Sequence, residues 1–303
     1  MNKLVVWVIN ISGGIFFFFL FLFLFFPFGQ VLNHFISRVE TETGGAYRIT
    51  VGEMEPSLIF RSVFKDFKVH KMEEGKDTVI LDLPEVKLGL HYLPLVSGRL
   101  NTSFVGVGKK GKMEGKVRLS KGEYSLDLDL DKISFVEIPY LSQSVKIPME
   151  GLMKGEIGLK IYPEEVTKNE GKIDLKILQF KIPPSHLTPY SGFDLDLPET
   201  LLSGDGEGVI RVNMEKGKLE IVEINFPGED IKLNLSGTVQ LNRRFSLSRI
   251  MINGNFQLSD KLKEAFPLIL VIDKQKNEDG SYPLTISGRI SKPQIKVGTS
   301  DIL

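Results

Sequence analysis

Asp127, Asp129 and Asp131 alternate with leucines in Tyr124–Asp131, a spacing that raises divalent-metal binding as a question. An EF-hand loop would need a glycine and a terminal glutamate at fixed offsets, and both are missing. A period of two instead lines the carboxylates along one wetted strand face. Gly106-Val107-Gly108-Lys109-Lys110-Gly111 fits G-x-G-x-x-G. That motif holds a pyrophosphate only where it opens a helix after a strand. Here Lys112–Leu119 leads straight into another strand, so a glycine-lysine hairpin turn is expected. The four histidines, His34, His70, His91 and His186, are far apart and form no H-E-x-x-H pair. With no cysteine, a structural zinc site has no thiolates to draw on. The sequence shows no phosphate loop, no G-x-S-x-G elbow, and no nucleophile with a base and an orienting group. The expectation is a non-enzymatic chain with no cofactor and no metal.

The elements carrying these residues are strands. Tyr47–Val51, Phe64–Val69, Val79–Leu83 and Val86–Leu90 alternate apolar with polar residues, with turn material at Glu55–Ser57 and Glu74–Asp77. The alternation is strictest in Tyr124–Asp131, Lys172–Ile177 and Ile231–Leu235. It predicts an antiparallel sheet with one apolar and one wetted face. A glycine recurs just before such strands at Gly115, Gly155, Gly208, Gly237 and Gly288. The irregular spacing marks a recurring hairpin unit and suits a sheet that bends at its glycines. Helix is scarce: Ser259–Phe266 reads as two turns, with Ser259 as cap and Pro267 ending it. The proline joints at Pro183-Pro184, Pro189 and Pro198 read as a long loop within one sheet.

Leu4–Phe28 is 25 residues without a charge. At about 1.5 Å per residue it would cross a hydrocarbon core of about 30 Å. It is longer than a signal-peptide core and no small-residue cleavage site follows it, so an uncleaved anchor is favoured. Lys3 places the N-terminus in the cytoplasm by the positive-inside bias. Residues 29–43 then read as an amphipathic helix stopped at Gly44-Gly45, either capping the end of the sheet, which is favoured, or lying on the membrane surface. The expected organisation is an anchor over 1–28, a linking helix over 29–45 and a β domain over 46–303. Lys plus Arg equals Asp plus Glu at 38 each, which argues against a nucleic-acid partner.

Several segments together resemble the type II secretion system protein N (GspN) family and, more broadly, AsmA-like periplasmic β proteins. They are the anchor ending in Phe26-Pro27, the helix ending at Thr43-Gly44-Gly45, and Ile49–Pro56. Leu201–Gly208, Gly217–Ile221, Leu235–Leu241 and the closing Leu284–Val297 agree. The resemblance implies a single-pass protein of a bacterial inner membrane with a periplasmic β domain. It would assist export of folded proteins beside other inner-membrane secretion subunits, with no catalytic residue carried over. The AsmA-like relation implies instead a curved sheet forming an apolar groove, along which phospholipid tails move between membranes.

The apolar face distinguishes these readings. A sheet that curls onto itself makes a dry core and a scaffold. A sheet that stays open makes a groove, barrel-like but unclosed. The expected lining residues are Leu126, Leu128, Leu130, Ile173, Leu175, Ile177, Leu233 and Leu235, and an ordinary core is the favoured reading for them.

Overall fold

The computed structural model describes residues 43–56, 61–73, 76–90, 100–120, 122–190, 193–204, 206–265 and 272–301, with isolated positions between 33 and 41. The expected anchor, Leu4–Phe28, lies outside the described residues, as do His34 and His91. No helix among the described residues is long and apolar enough to cross a membrane. Of the linking helix, positions 36–37 and 39–41 are helical. It ends as expected: Gly44 donates to the Thr41 carbonyl at 3.1 Å and Gly45 to that of Glu40 at 2.7 Å. Both glycines have positive φ, the left-handed exit that glycine takes without strain.

The body is one open antiparallel sheet of seventeen strands in meander order. Its first edge is made by β1 (Tyr47–Thr50) and β2 (Glu53–Pro56), both paired with β3 (Arg61–Glu73). Next come β4 (Lys76–Leu90), β5 (Leu100–Val107), β6 (Lys112–Ser120), β7 (Glu123–Ser134), β8 (Glu150–Ile161) and β9 (Glu170–Ile182), each paired with its successor. A separate hairpin, β10 (Ser185–Tyr190) with β11 (Phe193–Leu197), fills the proline-jointed loop. The sheet resumes on β9 through β12 (Thr200–Leu201) and β13 (Glu207–Glu215). It ends through β14 (Lys218–Pro227), β15 (Ile231–Gln240), β16 (Arg249–Leu258), β17 (Tyr282–Arg289), β18 (Lys292–Val297) and β19 (Ser300–Asp301). Among the described residues, neither edge pairs onward to close a barrel.

Three local expectations are corrected. Glu55 and Pro56 belong to β2 and are not a turn. The runs before and after Pro84 are one strand, because the ladder to β3 skips the position opposite Pro84, where Asp66 takes a positive φ of 52°. The recurring glycines lie inside strands, not before them, and all five point to the apolar face. Two of them make room for side chains there: a Cβ at Gly115 would strike Phe104 and Leu128, and one at Gly208 would strike Phe226. The expected helix is present as Asp260–Ala265, with the Ser259 hydroxyl accepting from the Leu262 N–H at 3.4 Å. In chain order it is α2, because the sequence reading missed α1 (Pro139–Val145).

The two ends of the strands differ. At one end the connections are long: 135–149 carries α1, 183–199 the small hairpin, and 259–281 α2. β3 and β4 overhang this end, and α1 packs on β4. Tyr47 enters the sheet here, opposite Lys71. At the other end short turns at Gly122, Lys216-Gly217 and Ile290-Ser291 accompany the loops 162–169 and 241–248.

Burial follows this division. The main cluster joins Leu130, Ile133, Met153 and Ile177 of the sheet to Leu197 and Leu262 at the covered end. Phe135, Phe180 and Phe226 run through it with ring centroids 5.2 Å apart. A second cluster lies on β3 and β4 around Phe64 and Leu83, and a third around Ile272, Tyr282 and Val297. Buried Tyr282 donates to Asp273 Oδ1 at 2.8 Å. Its burial, then that hydrogen bond and the Asp273 charge, push its pKa up to about 12. The folded chain thus keeps a proton that the unfolded chain, at 10.0, releases. That contribution to stability is whole below pH 10 and is lost as pH climbs towards 12. Denaturation followed against pH should show this alkaline loss in the native chain and a shallower one in Tyr282→Phe.

Candidate functional site

The eight expected lining residues share one face. Cross-strand register sets them in rows. Leu130 and Leu175 flank Gly155, and the same row runs on through Ile210 and Ile224 to Leu235. The next row holds Leu128, Ile157 and Ile173, and the one after it Leu126 and Leu159. Ile177 lies beside Met153, and Leu233 beside Phe226.

The face is not uniformly covered. Leu130 (2% exposed), Leu175 and Ile177 (1%) are buried in the main cluster. Leu128, Ile173 and Leu233 are half-buried against it. Leu126 and Leu159 across from it are also half-buried, but they belong to no cluster. Along β7 coverage thus drops from buried Leu130 to the partly covered Leu128 and Leu126, of which only Leu128 touches the cluster. Leu235 is buried outside the three clusters. The favoured reading of an ordinary core therefore holds at the covered end. Towards the short-turn end no second layer covers the same face among the described residues. The cause is the connections: among the described residues, the long ones bring side chains such as Leu141, Leu197 and Leu262 over the sheet.

Two buried acids lock the covered end. Asp230 accepts from the Leu201 N–H at 2.9 Å, from the Ser259 hydroxyl at 3.0 Å and from Lys261 Nζ at 3.4 Å. Burial acts to raise its pKa, but these donors outweigh it and hold the carboxyl below its ordinary range. Glu137 accepts from the Ser134 N–H at 2.9 Å and from the Lys109 N–H, pinning the 106–111 turn to the start of the α1 connection. That turn is a hairpin between β5 and β6, as expected, with Gly108 donating to the Gly111 carbonyl at 2.8 Å.

The wetted face offers less. Asp127 and Asp129 are exposed along it. Among the described residues no cluster of His, Asp and Glu is set to hold a metal ion. The sequence showed no nucleophile, base and orienter set, yet the register assembles one. Asp77 Oδ1 lies 2.8 Å from His70 Nδ1, and His70 Nε2 lies 3.0 Å from Thr50 Oγ1. With Nδ1 assigned the proton, the ring donates to Asp77 and accepts from Thr50. Arg48 takes the other oxygen of the same carboxylate at 2.6 Å. The four side chains stitch β1 to β3 and β4 on a solvated face. The ion pair leaves Asp77 a poor orienter for a base, and the group acts as a clasp of the edge strand. Nothing in the sequence signals it, because these residues become neighbours only through strand register. His186 sits on the β10–β11 hairpin, with Nδ1 2.7 Å from Asp196 Oδ1.

The groups available are therefore an apolar face, buried at one end and only partly covered towards the other, and charges that pair on the outer face. Set against models of protein families, curated proteins and solved structures, the chain matches none of them.

Proposed function

We propose that this chain is a non-enzymatic lipid-handling protein. Leu4–Phe28 anchors it in a bacterial inner membrane, its N-terminus is cytoplasmic, and its open sheet holds the acyl chains of phospholipid in the periplasm. The observation that supports this reading is the step on one apolar face from buried Leu130 to Leu128 and Leu126, which are only partly covered. A scaffold has no use for a row of partly covered leucines and isoleucines. Acyl chains would cover them and recover about 25 cal/mol for each Å² of apolar surface removed from water. The inward glycines serve the same end by keeping the trough floor low.

A photo-crosslinking amino acid at position 126 tests this in cells. Crosslinking to phospholipid from position 126, but not from position 127 on the opposite face, is the expected result. Equal labelling of both positions, or labelling of neither, would count against the trough.

A role in type II secretion is the second reading, supported by the resemblance of segments such as Leu201–Gly208 and Leu284–Val297. It expects secreted enzymes to accumulate in the periplasm when the chain is deleted, and inner-membrane secretion subunits to co-purify with it. Unimpaired secretion would remove it.

A further inference from the structure

We propose that the tip formed by residues 241–249 and 289–292 docks onto an anionic lipid surface, giving the sheet a second membrane contact. The tip lies at the opposite end of the strands from Tyr47, where the N-terminal segment joins. It is a β15–β16 loop leaning on the β17–β18 turn.

Two features of the tip point to lipid. First, it presents apolar side chains to solvent: Phe245 is 63% exposed and Leu247 38%. They sit on a fixed frame. Buried Ser248 accepts the Asn242 N–H at 3.0 Å on its hydroxyl, and its carbonyl accepts the Ile290 N–H at 2.9 Å. The Ser291 N–H donates to the Ser246 carbonyl at 3.0 Å, and Leu247 closes the turn on Arg244 at 2.8 Å. Protruding apolar groups held this way are ready to enter an interface without first paying to be ordered.

Second, every charged residue of the tip itself is a cation. Arg249 lies across from Arg289, and Arg289 across from Lys292, in three adjacent strands. Like charges directly opposite one another destabilise a sheet. Of the five cations here, Arg243 pairs with Glu164. No ion pair among the described residues engages Arg244, Arg249, Arg289 or Lys292. An anionic surface neutralises all four at once, while the phenyl and isobutyl groups enter the headgroup layer. A protein partner fits less well. Two protruding side chains fall far short of the roughly 800 Å² per partner that a stable protein interface buries.

The test uses the full chain carried in phosphatidylcholine nanodiscs and mixed with separate vesicles. Wild type is expected to float with vesicles of phosphatidylglycerol and phosphatidylcholine in equal parts, and not with pure phosphatidylcholine. Removing two cations together, Arg249→Gln with Arg289→Gln, should weaken capture about thirtyfold. Phe245→Ser with Leu247→Ser should weaken it severalfold. Arg249→Lys with Arg289→Lys should retain it, which separates charge from altered folding. Equal capture of neutral vesicles, or capture unchanged in both weakening pairs, would overturn the proposal. So would a tip that ignores vesicles and instead retains a protein from a periplasmic extract. The inference stands apart from acyl-chain binding, which crosslinking at position 126 reads separately.

Discussion

A chain carrying Gly155→Val is expected not to fold. Gly155 has φ +135°, where a β-branched residue is strained, and any Cβ built there meets the Asp174 carbonyl of the neighbouring strand. The strain alone costs about 1–3 kcal/mol. Backbone cannot move aside like a flexible side chain, so the total should exceed about 4 kcal/mol, much of a domain's stability. The matched control is Gly158→Ala on the same strand. Gly158 faces the wetted side, its nearest neighbour is Asp127 Oδ1 at 3.8 Å, and its φ is ordinary. That change should be neutral or stabilise by about 0.5 kcal/mol. Denaturant titration of the two variants decides the matter. Equal stability would mean that the strands do not approach at Gly155 as described.

Leu128→Asp is expected to give a folded chain that no longer carries lipid. Leu128 is half-buried at the border between the covered cluster and the part of the face that no second layer covers among the described residues. A carboxylate there keeps partial access to water, and the cost to folding should be about 1–3 kcal/mol. For an acyl chain lying in the trough, the same carboxylate sits in the middle of its path. Bound phospholipid should fall at least tenfold, while circular dichroism stays that of the wild type. Leu126→Asp, one row further out, should do the same at smaller cost to stability. Leu130→Asp should unfold the protein, because Leu130 is only 2% exposed within the main cluster. A graded response along one strand is the signature of a trough; a uniform core would lose stability at all three positions.

Much of the sheet was legible in the sequence because a half-buried strand writes its two faces into alternate residues. Tyr124–Asp131 shows both faces outright, and all eight expected lining residues do lie on one face. The glycines were visible too, although their role was misplaced. A glycine beside an alternating run looks like punctuation, and only register reveals that Gly115 and Gly208 make room for Phe104 and Phe226. Register also hid the clasp of Thr50, His70 and Asp77 and the row of Arg249, Arg289 and Lys292. α1 escaped notice because Pro139–Val145 is seven residues with none buried and so has no apolar period to detect. Whether the apolar face was covered was not legible either. Coverage depends on which connections fold back over the sheet, and alternation within a strand is the same under a covered face and an open one.

The central claim is that the open part of the face holds acyl chains. Its most direct test is the mass of the native full-length chain, released from detergent in the gas phase, together with a lipid extract of the same sample. Adducts at phospholipid mass are expected on the wild-type chain, and their loss from Leu128→Asp. A wild-type chain that purifies folded and free of phospholipid, or a Leu128→Asp chain that carries as much as the wild type, would contradict it.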